Sequence, residues 1–169
     1  LANHVPHLGA DDNDHGRYDG LADAADGQVG DIKVFEQLAA DAREWHGDRF
    51  VGRSMLAVLK ADVDDLGIVF GCGFERIRTT VGRIAQLSRM MDGFFPAYLT
   101  HLLETEREFR NTYTVYAGGD DLLLIAPWLS AIKLAKRLRA DFGRFVNHNP
   151  NLTLTAGIEF FAVNEPLNR

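Results

Sequence analysis

The chain has 169 residues, of which 46% are hydrophobic and 25% charged, as is typical of one globular domain with a hydrophobic core. Its longest uninterrupted apolar stretch, Leu122 to Leu129, has 8 residues and contains Pro127, which excludes a transmembrane helix of roughly 20 apolar residues. Seven aspartates and one arginine lie within residues 1–31, so this part carries the whole net charge of −6. The overall balance therefore indicates no broad basic face for nucleic-acid phosphates.

Gly, Asp and Ala residues dominate residues 9–31 without a period of 2 or 3.6, which predicts a flexible acidic surface loop. His4, His7 and His15 lie among or near the aspartates, but their spacing is loose for zinc, and we interpret them as loop residues. A short helix is predicted from about Val34 to Trp45, with one buried face. The residues of that face are Phe35, Leu38, Ala39 and Ala42.

Alternating or apolar runs predict four strands in the remainder, and apolar residues spaced by three and four predict two helices. Gly93 and Pro96 should kink or divide the first helix. Ser130 is the predicted N-cap of the second, whose buried stripe is Ile132, Ala135, Leu138, Phe142 and Phe145. The strands are predicted over 55–61, 112–116, 122–126 and 152–158. The first helix is predicted over 79–101, and the second from its cap at Ser130 to the Asn149-Pro150-Asn151 turn.

The resulting order, βαββαβ, predicts an α+β, ferredoxin-like domain in which two helices cover one face of an antiparallel sheet. In this topology the first strand lies beside the third and runs in the opposite direction. Asp62 and Asp64 close the first strand, whereas Asp120 and Asp121 open the third. We therefore expect two acidic pairs, distant in sequence, to converge at one edge of the sheet.

Carboxylates this close together repel one another unless a divalent cation supplies compensating charge. Oxygen ligands favour Mg²⁺ or Mn²⁺ over zinc. Asp62 and Asp121 are the first predicted ligands, followed by Asp120 and the backbone carbonyl of Val63. Asp64 shares the strand face of Asp62 only if the strand continues that far.

Two metals held by carboxylates on such a sheet suit nucleotidyl transfer, in which a ribose hydroxyl attacks the α-phosphate of a nucleoside triphosphate. Gly118 and Gly119 would let a phosphate approach the backbone closely. Taken alone, Gly-Gly-Asp-Asp is equally typical of an ordinary hairpin turn, so the joint placement of the two acidic motifs carries the prediction. Cys72 is interpreted as a loop residue rather than a nucleophile, because no histidine is predictably near it.

Several stretches resemble the second palm domain of the large subunit of type III CRISPR effector complexes of the Csm type. The opening six residues, LANHVP, are also similar to the segment that precedes this palm. The motifs are LKADVDDLG at 59–67, LSR at 87–89, DGFF at 92–95, VYAGGDDL at 115–122 and LTAGI at 154–158. The resemblance implies an N-terminal connecting segment over 1–48 and a palm domain, truncated at its C-terminal end, over 49–169.

This resemblance implies an enzyme that converts ATP into cyclic oligoadenylates, second messengers in antiviral defence, by two-metal catalysis. It also implies a prokaryotic, cytoplasmic complex with other Csm-type subunits, a guide RNA and a bound target RNA. A reducing cytosol agrees with the single Cys72, which cannot form an internal disulfide. By position, Asp62, Asp120 and Asp121 would be catalytic metal ligands. Gly118, Gly119 and Ser88 would contact the nucleotide.

Some of the family's properties do not transfer by position. Its single-strand DNA nuclease uses a separate His-Asp domain, whereas the adjacent pair here is Asp14-His15 in the acidic loop. The first palm and a C-terminal helix with a triphosphate-binding lysine are also not present in these 169 residues. We therefore expect nucleotide binding, with turnover dependent on those parts.

Two alternatives stay open at this point. A diguanylate cyclase shares the palm fold, but its hairpin reads Gly-Gly-Asp-Glu-Phe. This chain has Asp121 and Leu122 at the positions of the Glu and the Phe. Its Asn-Asp-x-x-Gly-His stretch is also absent from residues 67–75. The other alternative is a non-catalytic palm that serves as an interaction module for neighbouring subunits.

Overall fold

The computed structural model describes residues 4–21, 27–68 and 81–163, and Cys72 lies outside these ranges. A 3₁₀ turn spans Asp14–Gly16, and a π-helical segment, Gly93–Tyr98, joins two of the helices. The helices are α1 (Phe35–Ala40), α2 (Val81–Asp92), α3 (Leu99–Thr105) and α4 (Trp128–Phe145). The strands are β1 (Glu44–His46), β2 (Arg49–Val51), β3 (Leu56–Val63), β4 (Tyr113–Gly118), β5 (Asp121–Pro127) and β6 (Leu154–Phe161). Over the described ranges, every helix falls short of what a bilayer span demands.

Four strands form an antiparallel sheet in the order β4-β5-β3-β6. The first predicted strand, now β3, lies beside the third, now β5, so the ferredoxin-like prediction of strand order is confirmed. Gly93 and Pro96 lie inside the π-helical segment that divides the first predicted helix. A helical interruption at these two residues was expected from their poor fit to a regular helix.

The main hydrophobic core lies between one face of this sheet and the helices. Residues 59, 61 and 63 of β3 alternate into it, and Leu122 and Leu124 of β5 do the same. Phe94, Phe95 and Phe142 meet them from the π-helical segment and α4. Helix α1 packs against the opposite face at the start of β3, where Leu38 and Ala39 meet Leu56.

The short helix predicted to end at Trp45 ends at Ala40, and this prediction was wrong in its second half. Residues 44–51 instead form the β1–β2 hairpin, in which the rings of Trp45 and Phe50 meet across the pair at 4.9 Å. Gly47 has a φ of +67°, which favours glycine at the turn. Phe35, predicted to be buried, is 40% exposed. The predicted boundary between residues 48 and 49 stays a prediction, and it falls in this hairpin.

Helix α4 begins at Trp128, two residues before the predicted cap Ser130, and Pro127 occupies the N-cap position. Its buried apolar stripe is rotated relative to the prediction, because Ala131 and Leu134 are buried where Ile132 and Ala135 were expected. Leu138 and Phe142 were correctly placed, whereas Phe145 is 37% exposed. Spacings of three and four were right, but the phase of the stripe is set by the packing of Ala131 against Ala57 and Ala126.

In the described part of the acidic segment predicted as a surface loop, Asp12 and Tyr18 are buried. The fully buried ammonium of Lys33 lies 3.0 Å from Asp12 and 2.7 Å from Asp41, and it also bonds Asn111 at 3.0 Å. The Tyr18 hydroxyl donates to Asp41 at 2.7 Å. This Lys33 network therefore connects the N-terminal segment, α1 and the loop before β4.

The two carboxylates of the network respond differently to their surroundings. Burial favours protonation of Asp12, but the Gly9 amide, Lys33 and Arg110 outweigh it and keep the pKa of Asp12 below its ordinary value. At Asp41, burial outweighs Lys33 and Tyr18, and the pKa of Asp41 is raised. The network is held together by one buried cation between two buried acids.

Replacing Lys33 by Met should lower the free energy of unfolding by about 3 kcal/mol, since it leaves buried carboxylates without their cation. Urea denaturation followed by circular dichroism measures this. Lys136→Met, at an exposed position of α4, is the matched control and should change it little. Equal losses in both variants would contradict a structural role for the Lys33 network.

Candidate active site

The pairing of β3 with β5 brings the two predicted acidic motifs together. Asp62 stands directly opposite Asp121 in the ladder, and the Val63 amide donates to the Asp120 carbonyl oxygen at 2.9 Å. Strand β3 extends two residues beyond the predicted end, so Asp62 lies within the strand. The expected convergence of Asp62, Asp120 and Asp121 at one sheet edge is confirmed as geometry, while their catalytic roles stay predictions.

The loop of the hairpin between β4 and β5 is shorter than the four-residue Gly-Gly-Asp-Asp motif suggests. Gly118 and Asp121 are paired across the ladder, so the loop contains just Gly119 and Asp120. Gly119 has a φ of +64°, and the first position of a two-residue hairpin loop favours glycine for this reason. A Cβ on Gly119 would meet no described atom within 4 Å, so the requirement is conformational rather than steric.

The charges at this edge act on one another. Partial burial, followed by repulsion from Asp120, Asp121 and Asp64, raises the pKa of Asp62, while Lys60 opposes the shift. Lys60 is exposed and lies two residues before Asp62, on the same face of β3. The surroundings of Asp62 therefore favour the binding of a proton or a cation.

Asp64 is directed to the neighbouring strand rather than to this acidic group. Its carboxylate accepts hydrogen bonds from the hydroxyls of Thr153, at 2.5 Å, and Thr155, at 2.8 Å. Its amide donates to the carbonyl oxygen of Thr153. Asp64 therefore connects the end of β3 to the start of β6, and Asp65 follows in a turn with a φ of +57°.

A cleft of about 290 Å³ lies between the turn and α2. Ser88, predicted to contact the nucleotide, lines this cleft together with Gly119 and Asp120. Leu66, Met91 and Asp92 complete its lining. Asp120 is thus shared between the cleft and the acidic group, because it also acts electrostatically on Asp62.

Two residues at the site were missed by the sequence reasoning. Asp92 follows Ser88 by one helical turn, a spacing that places both on one face of α2 and could have indicated it. The hydroxyl of Tyr116 donates to the Gly118 carbonyl oxygen at 3.0 Å. Desolvation, followed by the charge of the neighbouring Asp121 carboxylate, raises the pKa of Tyr116.

Among the described residues, no three acidic, histidine or cysteine side chains stand ready to hold a metal ion. Such a cage is not required for Mg²⁺, which proteins commonly bind through one or two carboxylates plus water and substrate phosphates. Asp62 and Asp121 supply such a pair on adjacent strands. The side chain of Val63 is buried in the core, and a ligand role for its carbonyl oxygen stays a prediction.

A family model described as Cas10/Cmr2, second palm domain, matches residues 55–169. The chain belongs to this family. The resemblance stated from the sequence motifs is thereby confirmed, and the ferredoxin-like sheet is the sheet of a palm domain.

Individual relatives agree with this assignment. The single-strand-specific deoxyribonuclease Cas10/Csm1 (subtype III-A) of Methanocaldococcus jannaschii is 42% identical over 138 residues, which are 76% of this chain and 16% of that protein. The crystal structure of a Csm1-Csm4 cassette in complex with cA4 matches with 27% identity and a TM-score of 0.66, over 81% of this chain and 19% of that one.

A Csm1-Csm4 cassette in complex with one ATP matches with 28% identity and a TM-score of 0.66, over 82% of this chain and 19% of that one. The chain thus spans less than a fifth of the length of each of these proteins.

Replacing Asp62 by Asn should raise the melting temperature of the metal-free chain by about 1 to 3 °C, because it removes one of the repelling charges. The same change should reduce the stabilisation that Mn²⁺ provides. Differential scanning calorimetry with EDTA and with MnCl₂ measures both effects. Asp48→Asn, exposed in the β1–β2 hairpin, should alter neither, and a destabilised Asp62→Asn chain in EDTA would contradict mutual repulsion at the site.

Proposed function

We propose that this palm domain forms a nucleotidyl-transfer centre that joins ATP into cyclic oligoadenylates. The observation that carries the proposal is the register of β3 and β5, which sets Asp62 opposite Asp121 and places Asp120 at the mouth of the cleft. The binding of ATP and cA4 by Csm1-Csm4 cassettes of similar fold supports it. The proposed substrate is therefore ATP rather than a nucleic acid.

The residues present fit a divalent cation. Asp62, Asp120 and Asp121 offer hard carboxylate oxygens of the kind that Mg²⁺ and Mn²⁺ prefer. Desolvation and the repulsion from the neighbouring carboxylates raise the pKa of Asp62, and such a cation would relieve the repulsion. When bound, Mg²⁺ or Mn²⁺ would supply charge stabilisation for the triphosphate and activation of the attacking hydroxyl.

The remaining roles fall to groups around the cleft. Gly118 and Gly119 carry no Cβ of their own, so a triphosphate can approach their backbone closely. Ser88 provides a hydroxyl that can hydrogen-bond the nucleotide from α2. Leu66 and Met91 supply apolar surface on the same cleft. Positioning and charge stabilisation, rather than a protein nucleophile, would account for catalysis.

Partners are proposed on the same basis. The structural neighbours include assemblies of Csm1 with Csm4, and we propose that this palm works in such a prokaryotic, cytoplasmic complex with a guide RNA and a target RNA. We do not extend the nuclease activity named for the relatives to this chain. The ring of His15, in the adjacent Asp14-His15 pair, is stacked on Trp45 at 4.1 Å.

Thermal stability of the chain with MnCl₂ and ATP tests the proposal directly. A ligand at about a hundred times its dissociation constant should add roughly 2.7 kcal/mol of stability. We expect ATP with Mn²⁺ to raise the melting temperature, GTP with Mn²⁺ to raise it less, and Asp120→Ala/Asp121→Ala to abolish the effect.

The matched control is Asp11→Ala/Asp14→Ala in the acidic segment, which removes two exposed charges elsewhere and should keep the ATP effect. Greater stabilisation by GTP would favour the diguanylate cyclase alternative. No shift with either nucleotide would contradict a nucleotide site in this chain. If ATP with Mn²⁺ gives the expected shift, the assembled complex with target RNA should be assayed for cyclic products from ATP.

A further inference from the structure

We propose that Tyr116 is a positioning residue that holds Asp121 and its turn in place for the divalent cation, an inference that rests on the proposed function. The Tyr116 hydroxyl donates to the Gly118 carbonyl oxygen at 3.0 Å. Gly118 is the ladder partner of Asp121. The phenol is therefore bonded to the last residue of β4, which is paired with a predicted metal ligand.

A β-bulge in β4 puts Tyr116 on this face of the sheet. Thr114 pairs with Leu124, and Tyr116 pairs with Leu123, so Val115 is an extra residue in β4. Without this bulge, Thr114 and Tyr116 would share a face. Thr114 is instead buried towards the core, whereas Tyr116 is 40% exposed. Bulges of this kind redirect a side chain and are frequent beside active sites.

The pairing of β5 with β3 and β4 shows which residues share the sheet face of Tyr116. Alternate residues of β5 place Leu123 beside Asp121, and their partners on β3 are Lys60 and Asp62. Tyr116, next to Leu123, therefore lies on the same side of the sheet as the Asp62–Asp121 pair. This placement depends on backbone pairing alone and agrees with the hydrogen bond to Gly118.

The chemistry of the phenol suits this position. A tyrosine hydroxyl has one proton, and Tyr116 donates it to the Gly118 carbonyl oxygen, which fixes the residue paired with Asp121. It does so without adding a charge to the group of carboxylates. Groups that orient metal ligands in this way commonly affect metal affinity rather than folding.

Tyr116→Phe removes the hydroxyl and keeps the ring. The matched control is Tyr113→Phe, on the same strand and face, where the ring contacts Phe35 at 6.2 Å rather than the turn. Binding of MnCl₂ to each chain is measured from the electron paramagnetic resonance signal of free Mn²⁺. We expect the dissociation constant to rise about two- to tenfold for Tyr116→Phe, the value of one hydrogen bond, and to stay unchanged for Tyr113→Phe.

The melting temperature in EDTA separates positioning from folding, and it should be nearly equal in the three chains. Unchanged Mn²⁺ affinity in Tyr116→Phe, while Asp121→Ala loses binding, would overturn the role of Tyr116 and leave the proposed function intact. Weaker binding accompanied by an equal loss of stability in EDTA would also overturn it. If the unmodified chain binds no Mn²⁺, the proposed metal site and this inference fail together.

Discussion

The antiparallel register between β3 and β5 is the constraint on which the candidate site depends. Two strands separated by more than fifty residues are aligned so that Asp62 faces Asp121. The hydrophobic core fixes this alignment, because Leu122 and Leu124 must point inward with Ala61 and Leu59. Shifting the pairing by one residue would expose those side chains and separate the acids. Burial of the apolar side chains thus determines that Asp62 and Asp121 lie side by side.

The N-terminal segment is attached to the sheet away from the acidic edge. The Thr114 amide of the edge strand β4 donates to the His4 carbonyl oxygen of the N-terminal segment at 2.9 Å. The Lys33 network anchors this segment, and α1 covers the face of the sheet near Leu56. Asp12 of the acidic N-terminal segment is therefore part of the domain's packing, because its carboxylate is buried against Lys33.

Much of the fold could be predicted from the sequence, because periodicity indicates the elements and their order indicates the sheet topology. The βαββαβ order placed Asp62 beside Asp121 without reference to any side-chain contact. The short hairpin at Trp45 was missed because apolar residues there fit a helical spacing equally well, and the ring contact with Phe50 that decides between them is tertiary.

The role of Tyr116 was not accessible in the same way. Simple alternation along β4 assigns it to the face of Thr114, and the bulge at Val115 that reverses this is a property of the pairing with β5. The phase of α4 failed for a similar reason, since it depends on the packing of Ala131 against Ala57 and Ala126. Local pattern identifies elements, whereas contacts between elements determine which side chains reach the site.

The two-residue loop of Gly119 and Asp120 has a consequence for how this domain can vary. Because Asp121 is already paired in the ladder, one extra residue in the loop that shifted β5 in its pairing would turn Asp121 to the helix side and Leu122 outward. Changes in length would thus be more damaging here than most changes of side chain. The length of this hairpin is therefore a structural constraint on the position of Asp121.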